Sequence, residues 1–180
     1  DRTLQMDVQK PKAYVSFKAR EVSLQGRDMM KHELAIELGL DLLYGRSSKF
    51  YEDIYQNGWI DESYSYDFSL EKGFGFAMVG SDTAHPQELL SAVKDVMNEA
   101  AVALPFTQED LDRVKRRKIG FTLRALNSIE FIANQFTRYK FNDMNLFDIV
   151  PVIEELTVAD VKEALTSITG ETQQSTFIIE

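Results

Sequence analysis

The sequence predicts an α+β fold, a mostly antiparallel sheet with helices packed on one face. Three observations predict it. Apolar residues recur at two-residue spacing within 13–19, 64–78 and 175–179, the period of half-buried strands. They recur at helical spacing over 28–44, 86–100 and 107–139. The two kinds of stretch are mixed without a strict strand–helix–strand alternation, which disfavours a parallel sheet. No linker, internal repeat or low-complexity run divides the 180 residues, so a single domain is expected across 1–180.

Taken in order, residues 3–9 alternate weakly and read as an edge strand or a linker, stopped by Pro11. Ala13 to Ala19 reads as a strand, with Tyr14, Ser16 and Lys18 on one face and Val15 and Phe17 on the other. Residues 20–27 are polar, contain Gly26 and read as a loop. A helix is expected from Asp28, a good cap, to Tyr44, striped by Ala35, Leu38, Leu42 and Leu43. Gly45 is expected to end it in a left-handed conformation. Ser47 or Ser48 can cap a second, short helix carrying Phe50, Ile54 and Tyr55, broken at Asn57-Gly58. A hairpin follows. Tyr64, Tyr66 and Phe68 alternate with small or polar residues, as do Phe74, Phe76 and Met78, around a turn at Glu71-Lys72-Gly73.

Pro86 suits a first helical turn, and Leu89, Leu90, Val93, Val96, Met97 and Ala100 supply the stripe behind it. Pro105 separates that helix from the next. Thr107 with Asp110 resembles a capping box, with Asp in place of the usual Glu. The helix it opens is expected to run to about Tyr139, bent near Gly120 or Asn127. Asn145 to Ile153 reads as helical around Pro151, Thr157 with Asp160 repeats the box and starts a helix ending near Gly170, and Ser175 to Ile179 closes as a strand.

The net charge of −9 argues against a nucleic-acid surface, which needs a basic face, and against binding to anionic membranes. No apolar run approaches the roughly 20 residues of a membrane span. The absence of cysteine excludes disulfide and thiol chemistry and fits an intracellular, cytoplasmic protein. The chain starts at Asp1 without a methionine or a signal peptide and reads as a piece of something longer.

Catalytic motifs are hard to find. His32 begins H-E-L-A-I-E, but a zinc-binding helix of the H-E-x-x-H type needs histidine at position 36, which is Ile36. The inverted H-x-x-E-H pattern needs Glu and His at 35 and 36, which are Ala35 and Ile36. His32 therefore reads as a helix-surface residue and His85 as a residue near a helix start. The glycines from Gly73 to Gly80 lie inside an alternating strand and no lysine follows them as a phosphate loop requires. The basic run Arg113, Lys115, Arg116, Arg117 and Lys118 sits beside Glu109, Asp110 and Asp112 and reads as a solvated helix face. The tyrosines at 51, 55, 64 and 66 are unusually dense; packing is favoured over a ligand wall.

Four segments carry a resemblance. L-L-Y-G-R-S-S-K-F-Y-E-D-I-Y at 42–55 resembles the "LLGGGMSSRLFQELRE" signature of the C-terminal half of pitrilysin/insulinase-family zinc metallopeptidases, a family that includes the mitochondrial processing peptidases. The hairpin at 63–80 and G-S-D-T at 80–83 resemble that half's next strands and its "GTDP" turn. F-T-Q-E-D-L-D-R-V-K-R-R-K at 106–118 resembles its "LTEEELERAK" helix, and L-T-V-A-D-V at 156–161 its closing "VTAEDV". The wording around 46–52 and 71–80 is nearest to a bacterial, processing-peptidase-like branch.

The resemblance implies a role. Family members pair two similar α+β halves around a peptide chamber. The N-terminal half carries H-x-x-E-H, zinc and the general base; the C-terminal half completes the wall and lacks the metal site. This chain would be that second half, with no cofactor of its own, zinc in the N-terminal half, a peptide as substrate, and the N-terminal half or a homologous subunit as partner. An alternative is a catalytically inactive relative that serves as an assembly or peptide-binding subunit. The family's substrate-facing Arg falls at Tyr55 here, and its Tyr is displaced to Tyr64 or Tyr66. Tyr55, Tyr64 and Tyr66 are thus the candidate substrate-binding residues; no catalytic or metal-binding residue is expected.

Overall fold

The structure is a computed structural model and describes residues 1–20 and 23–180, the Glu171 side chain excepted. The described strands and α-helices are β1 (Arg2–Leu4), β2 (Lys12–Lys18), α1 (Gly26–Tyr44), α2 (Lys49–Gln56), β3 (Ser65–Glu71), β4 (Phe74–Asp82), α3 (Pro86–Val102), α4 (Gln108–Ala125), α5 (Ile129–Phe141), α6 (Ile149–Glu155), α7 (Val158–Thr166) and β5 (Gln174–Ile179), with short 3-10 turns at Leu146–Asp148 and Glu171–Gln173. The strands form one sheet in the order β1-β5-β2-β4-β3. Only β1 and β5 run parallel; the other neighbours are antiparallel. The fold is α+β with a mostly antiparallel sheet, as the mixed periodicities predict.

The register sorts the side chains. Val15 lies opposite Val79, which lies opposite Tyr66; Phe17, Ala77 and Phe68 form the next row. This face is covered by helices: α1 packs on β3 and α3 on β2. Ala13, Val15, Phe17, Phe68, Leu70, Ala77 and Val79 are buried there with Met30, Ile36, Leu89, Val93 and Met97. The other face is uncovered and carries Tyr14, Ser16, Lys18, Phe74, Phe76, Met78 and Phe177. The alternation in β4 is therefore real, but the larger apolar set faces outward. Small residues at 75 and 77 let the helices approach, while Phe74, Phe76 and Met78 stay exposed. Tyr14 lies across Gly80, where a Cβ would sit 2.2 Å from its ring.

Several boundaries differ from the sequence expectation. The loop expected over 20–27 includes Glu21 and Val22, which lie outside the described residues, and α1 already begins at Gly26. Asp28 is not its cap. It falls in the first turn, where its charge suits the positive end of the helix dipole. Gly45 ends α1 without a left-handed turn, at φ −65° and ψ 158°. The position needs glycine for another reason, since a Cβ there would lie 2.2 Å from the Asp41 carbonyl oxygen. The weak pattern at 3–9 yields only the short edge strand β1.

The expected long helix from 107 to 139 is two helices. Leu126 ends α4, and Ser128 opens α5 by accepting from the Phe131 N–H at 3.2 Å. A serine placed to cap outcompetes continuation of the helix. Both capping boxes form: Thr107 and Asp110, and Thr157 and Asp160, exchange side-chain and backbone bonds. The last helix stops at Thr166, earlier than Gly170. Pro151 stands in the first turn of α6, where a missing N–H costs nothing.

Candidate functional site

A cleft of about 460 Å³ opens between α1, β3 and α4. Its wall includes Leu38 and Asp41 from α1, Tyr64, Tyr66 and Phe68 at β3, and Arg117, Lys118 and Phe121 from α4, with Arg46 at the loop after α1. Because β3 is an edge strand, residues from both of its faces, Tyr66 and Asp67, border the cleft. Arg117 and Lys118 each stand about one turn before Phe121, so the three share one side of α4.

The two strand tyrosines are tied down. The Tyr64 O–H donates to the Tyr44 carbonyl at 2.7 Å, and the Tyr66 O–H donates to Asp41 Oδ1 at 2.6 Å. Tyr44 is itself fully buried and donates to the Val93 carbonyl at 2.9 Å. Burial pushes the Tyr64 phenol well above its ordinary value, and Tyr66 and Tyr51 nearby add to that. Burial also raises Tyr66, with the bond to Asp41 reinforcing it and Arg117 and Arg46 opposing. Both remain protonated phenols at neutral pH, and each has already spent its proton inside the domain. Tyr55 is elsewhere. It is 64% exposed on α2, stacked on Tyr51 with ring centres 5.9 Å apart, and does not line the cleft.

Charge around the cleft is organised by α1. Asp41 accepts Tyr66 on Oδ1 and pairs with Arg117 through Oδ2. Glu37, one turn earlier, pairs with Lys118 at 2.6 Å. The basic run of α4 is therefore not a uniform solvated face. Arg117 and Lys118 turn to α1, Arg113 donates to Ser47 Oγ at 3.3 Å, and Lys115 donates to the Glu154 and Leu156 carbonyls at the end of α6. Sequence reasoning missed Glu37, Asp41, Arg46 and Phe121. The only available signal was that Glu37 and Asp41 are four apart on the polar side of an amphipathic helix.

Neither histidine belongs to this cleft. His32 Nε2 lies 3.2 Å from Ser167 Oγ, and burial lowers its pKa while Glu163 opposes. His85 stands 3.8 Å from Glu88 at the start of α3. Among the described residues no group of three or more His, Asp or Glu is arranged to hold a metal ion. The described donor set does not fit a zinc centre. No described helix is long and apolar enough to cross a membrane. The glycines from 73 to 80 lie in the β3–β4 hairpin rather than between a strand and a helix.

Comparison with known proteins agrees with this geometry. The family model described as the peptidase M16 inactive domain matches residues 2–118. YmfH of Bacillus subtilis, described as an uncharacterized zinc protease, is 43% identical over 165 residues, covering 92% of this chain and 38% of YmfH. An M16-like peptidase structure from Alicyclobacillus acidocaldarius superposes with a TM-score of 0.89 at 20% identity, over 98% of this chain and 42% of that one. A peptidase M16 inactive domain from Pseudomonas fluorescens gives 0.74 at 20% identity, over 98% and 42%. The chain thus spans less than half the length of these relatives. By sequence and by fold, it belongs to the peptidase M16 family, the pitrilysin/insulinase group, and corresponds to the family's inactive domain.

Proposed function

We propose that residues 1–180 act as one domain of a longer bacterial, cytoplasmic zinc peptidase, where they complete the wall of a peptide chamber and supply no metal ligand. The observation that carries this is the tyrosine-lined cleft on a domain spanning less than half of its relatives. The partner is the other half of the same chain or a homologous subunit, and the zinc sits there. The uncovered sheet face supports such a partner: Phe74 is 53% exposed and Phe76 and Met78 39% each, more apolar surface than an isolated domain needs.

In this reading Tyr64 and Tyr66 face the substrate and Tyr55 does not. Their protons are committed to Tyr44 and Asp41, so they present ring faces and acceptor lone pairs to a peptide, not donors. The domain then contributes shape and binding. It does not stabilise a transition state directly.

The test is hydrolysis of a peptide library by the full-length protein. Activity abolished by a chelator and restored by zinc supports the proposal. Peptide binding with no hydrolysis, at any zinc level, replaces it with an inactive peptide-binding subunit. Tyr66→Phe should raise KM several-fold and leave kcat nearly unchanged, because it loosens Asp41 without touching the reacting bond.

A further inference from the structure

We propose that the cleft selects peptides carrying a carboxylate, gripped by Arg46 and Arg117; the inference rests on the peptide-chamber reading above. The chain's net charge is −9, yet the cleft lining holds as many cations as acids, Arg46, Arg117 and Lys118 against Glu37, Asp41 and Asp67. Arg46, Arg117 and Lys118 all line the cleft, and Arg113 stands one turn before Arg117 on the same face of α4. Like charges at that spacing repel, and the helix gains nothing from them in isolation.

The Arg46 donors are unspent, and those of Arg117 only partly spent. Arg46 makes no ion pair or side-chain hydrogen bond among the described residues, which leaves its planar fork of five N–H groups free. Arg117 commits one terminal nitrogen to Asp41, and Lys118 meets only Glu37. Asp41 sits beneath Arg117, 19% exposed against 52%, while Glu37 and Lys118 are nearly level at 28% and 33%. Asp41 orients Arg117 from below and Glu37 pairs with Lys118, which leaves Arg46 as the cleft cation without an acidic partner among the described residues. Asp67 also borders the cleft, but the register puts it on the uncovered sheet face, in a row with Met78 and Ser16.

The backbone that carries Arg46 is set by its neighbours. The Gly45 N–H donates to the Asp41 carbonyl at 3.0 Å, and the Ser48 N–H to the Gly45 carbonyl at 2.8 Å. Ser48 in turn caps α2 by accepting from the Tyr51 N–H. Only glycine fits at 45, so the residue beside it is delivered to a defined spot. The planar guanidinium fork recognises carboxylate geometry through paired, charge-assisted bonds. Tyr64, Tyr66 and the 62%-exposed Phe121 supply an apolar flank for the rest of the peptide. The carboxylate has two possible sources, an acidic side chain or a chain terminus.

The experiment uses the full-length protein and fluorescein-labelled peptides in two matched pairs: an internal Glu against Gln in its place, and a free C-terminus against an amidated one. Binding is read by anisotropy and cleavage by chromatography. At low salt the carboxylate form should bind about tenfold tighter than its amide match, and the advantage should shrink as salt screens it. Which pair shows the advantage identifies the source. In Arg46→Gln, with its melting temperature checked, the ratio should fall toward one, and Arg46→Lys should restore part of it. Equal binding of acid and amide forms by the wild type, or a ratio that survives Arg46→Gln, overturns the proposal. Absence of cleavage with an intact binding ratio counts against the peptidase reading alone; absence of any peptide binding overturns both.

Discussion

Helices α1 and α5 are both rich in apolar residues, yet they are held in opposite ways. Eleven of the 19 residues of α1 are buried, Met30, Ile36 and Tyr44 completely. In α5 only Tyr139 is buried, while Ile129 is 85% and Phe141 75% exposed. What holds α5 is a polar clasp at its C-terminal end. Arg138 pairs with Glu33 of α1 and, at 3.1 Å, with Glu71 of β3, and it donates to the Leu70 carbonyl. Asn142 donates to the other Glu71 oxygen at 2.8 Å. Apolar content alone does not decide where a helix docks; the complementarity of the surface beneath it does.

The largest effect should come from α1. Ile36→Ala removes a fully buried side chain and should cost about 2–5 kcal/mol in denaturant unfolding. Arg138→Ala should cost somewhat less, about 2–3 kcal/mol, because it strands Glu33, which is 1% exposed. If Arg138→Ala proves nearly neutral, the clasp is decoration and α5 is held by Tyr139.

The clasp should also respond to pH. Burial pushes the Glu33 carboxyl up to about 7, with Glu37 and Glu71 adding to the rise and Arg138 opposing it. One of its oxygens, Oε2, has no partner among the described residues, which favours the neutral form. A folded-state value above the unfolded one means that Glu33's contribution is fully present below about 4.5 and is lost as pH rises through about 7. The contribution is on the order of 3 kcal/mol at most, and Glu33→Gln should flatten this part of the stability–pH curve between about 4.5 and 7. A curve of unchanged slope would place the titration elsewhere. The smallest effect should come from the outward face of α5, where Ile129→Ala should change stability by no more than about 0.5 kcal/mol. A larger loss would mean that this face is covered in solution.

Much of this architecture was legible in the chain. The Thr107–Asp110 and Thr157–Asp160 boxes marked helix starts because the cap is a local bond between residues three apart. The α4–α5 break was harder to see, since the helical period continues through 126–128 and only Ser128 marks the restart. The cleft was half visible. Tyr64 and Tyr66 stood out as an alternating pair, and Tyr55 stood out with them although it faces solvent on α2. Arg117 and Lys118 were hidden inside a basic run that looks solvated until α1 places Asp41 and Glu37 opposite them.

By itself the sequence determined the periods of the elements, most of their caps, the lack of a paired-histidine metal motif and the family, because these depend on neighbours a few residues apart or on ordered motifs. The tertiary structure alone decided which face of β4 the helices cover and which charges meet across the cleft. Two-residue alternation names two faces without saying which is inside, and here the small residues, not Phe74, Phe76 and Met78, allow the close approach. An ion pair such as Arg117–Asp41 joins residues 76 positions apart, a separation at which only the packing of α4 on α1 brings the two charges together.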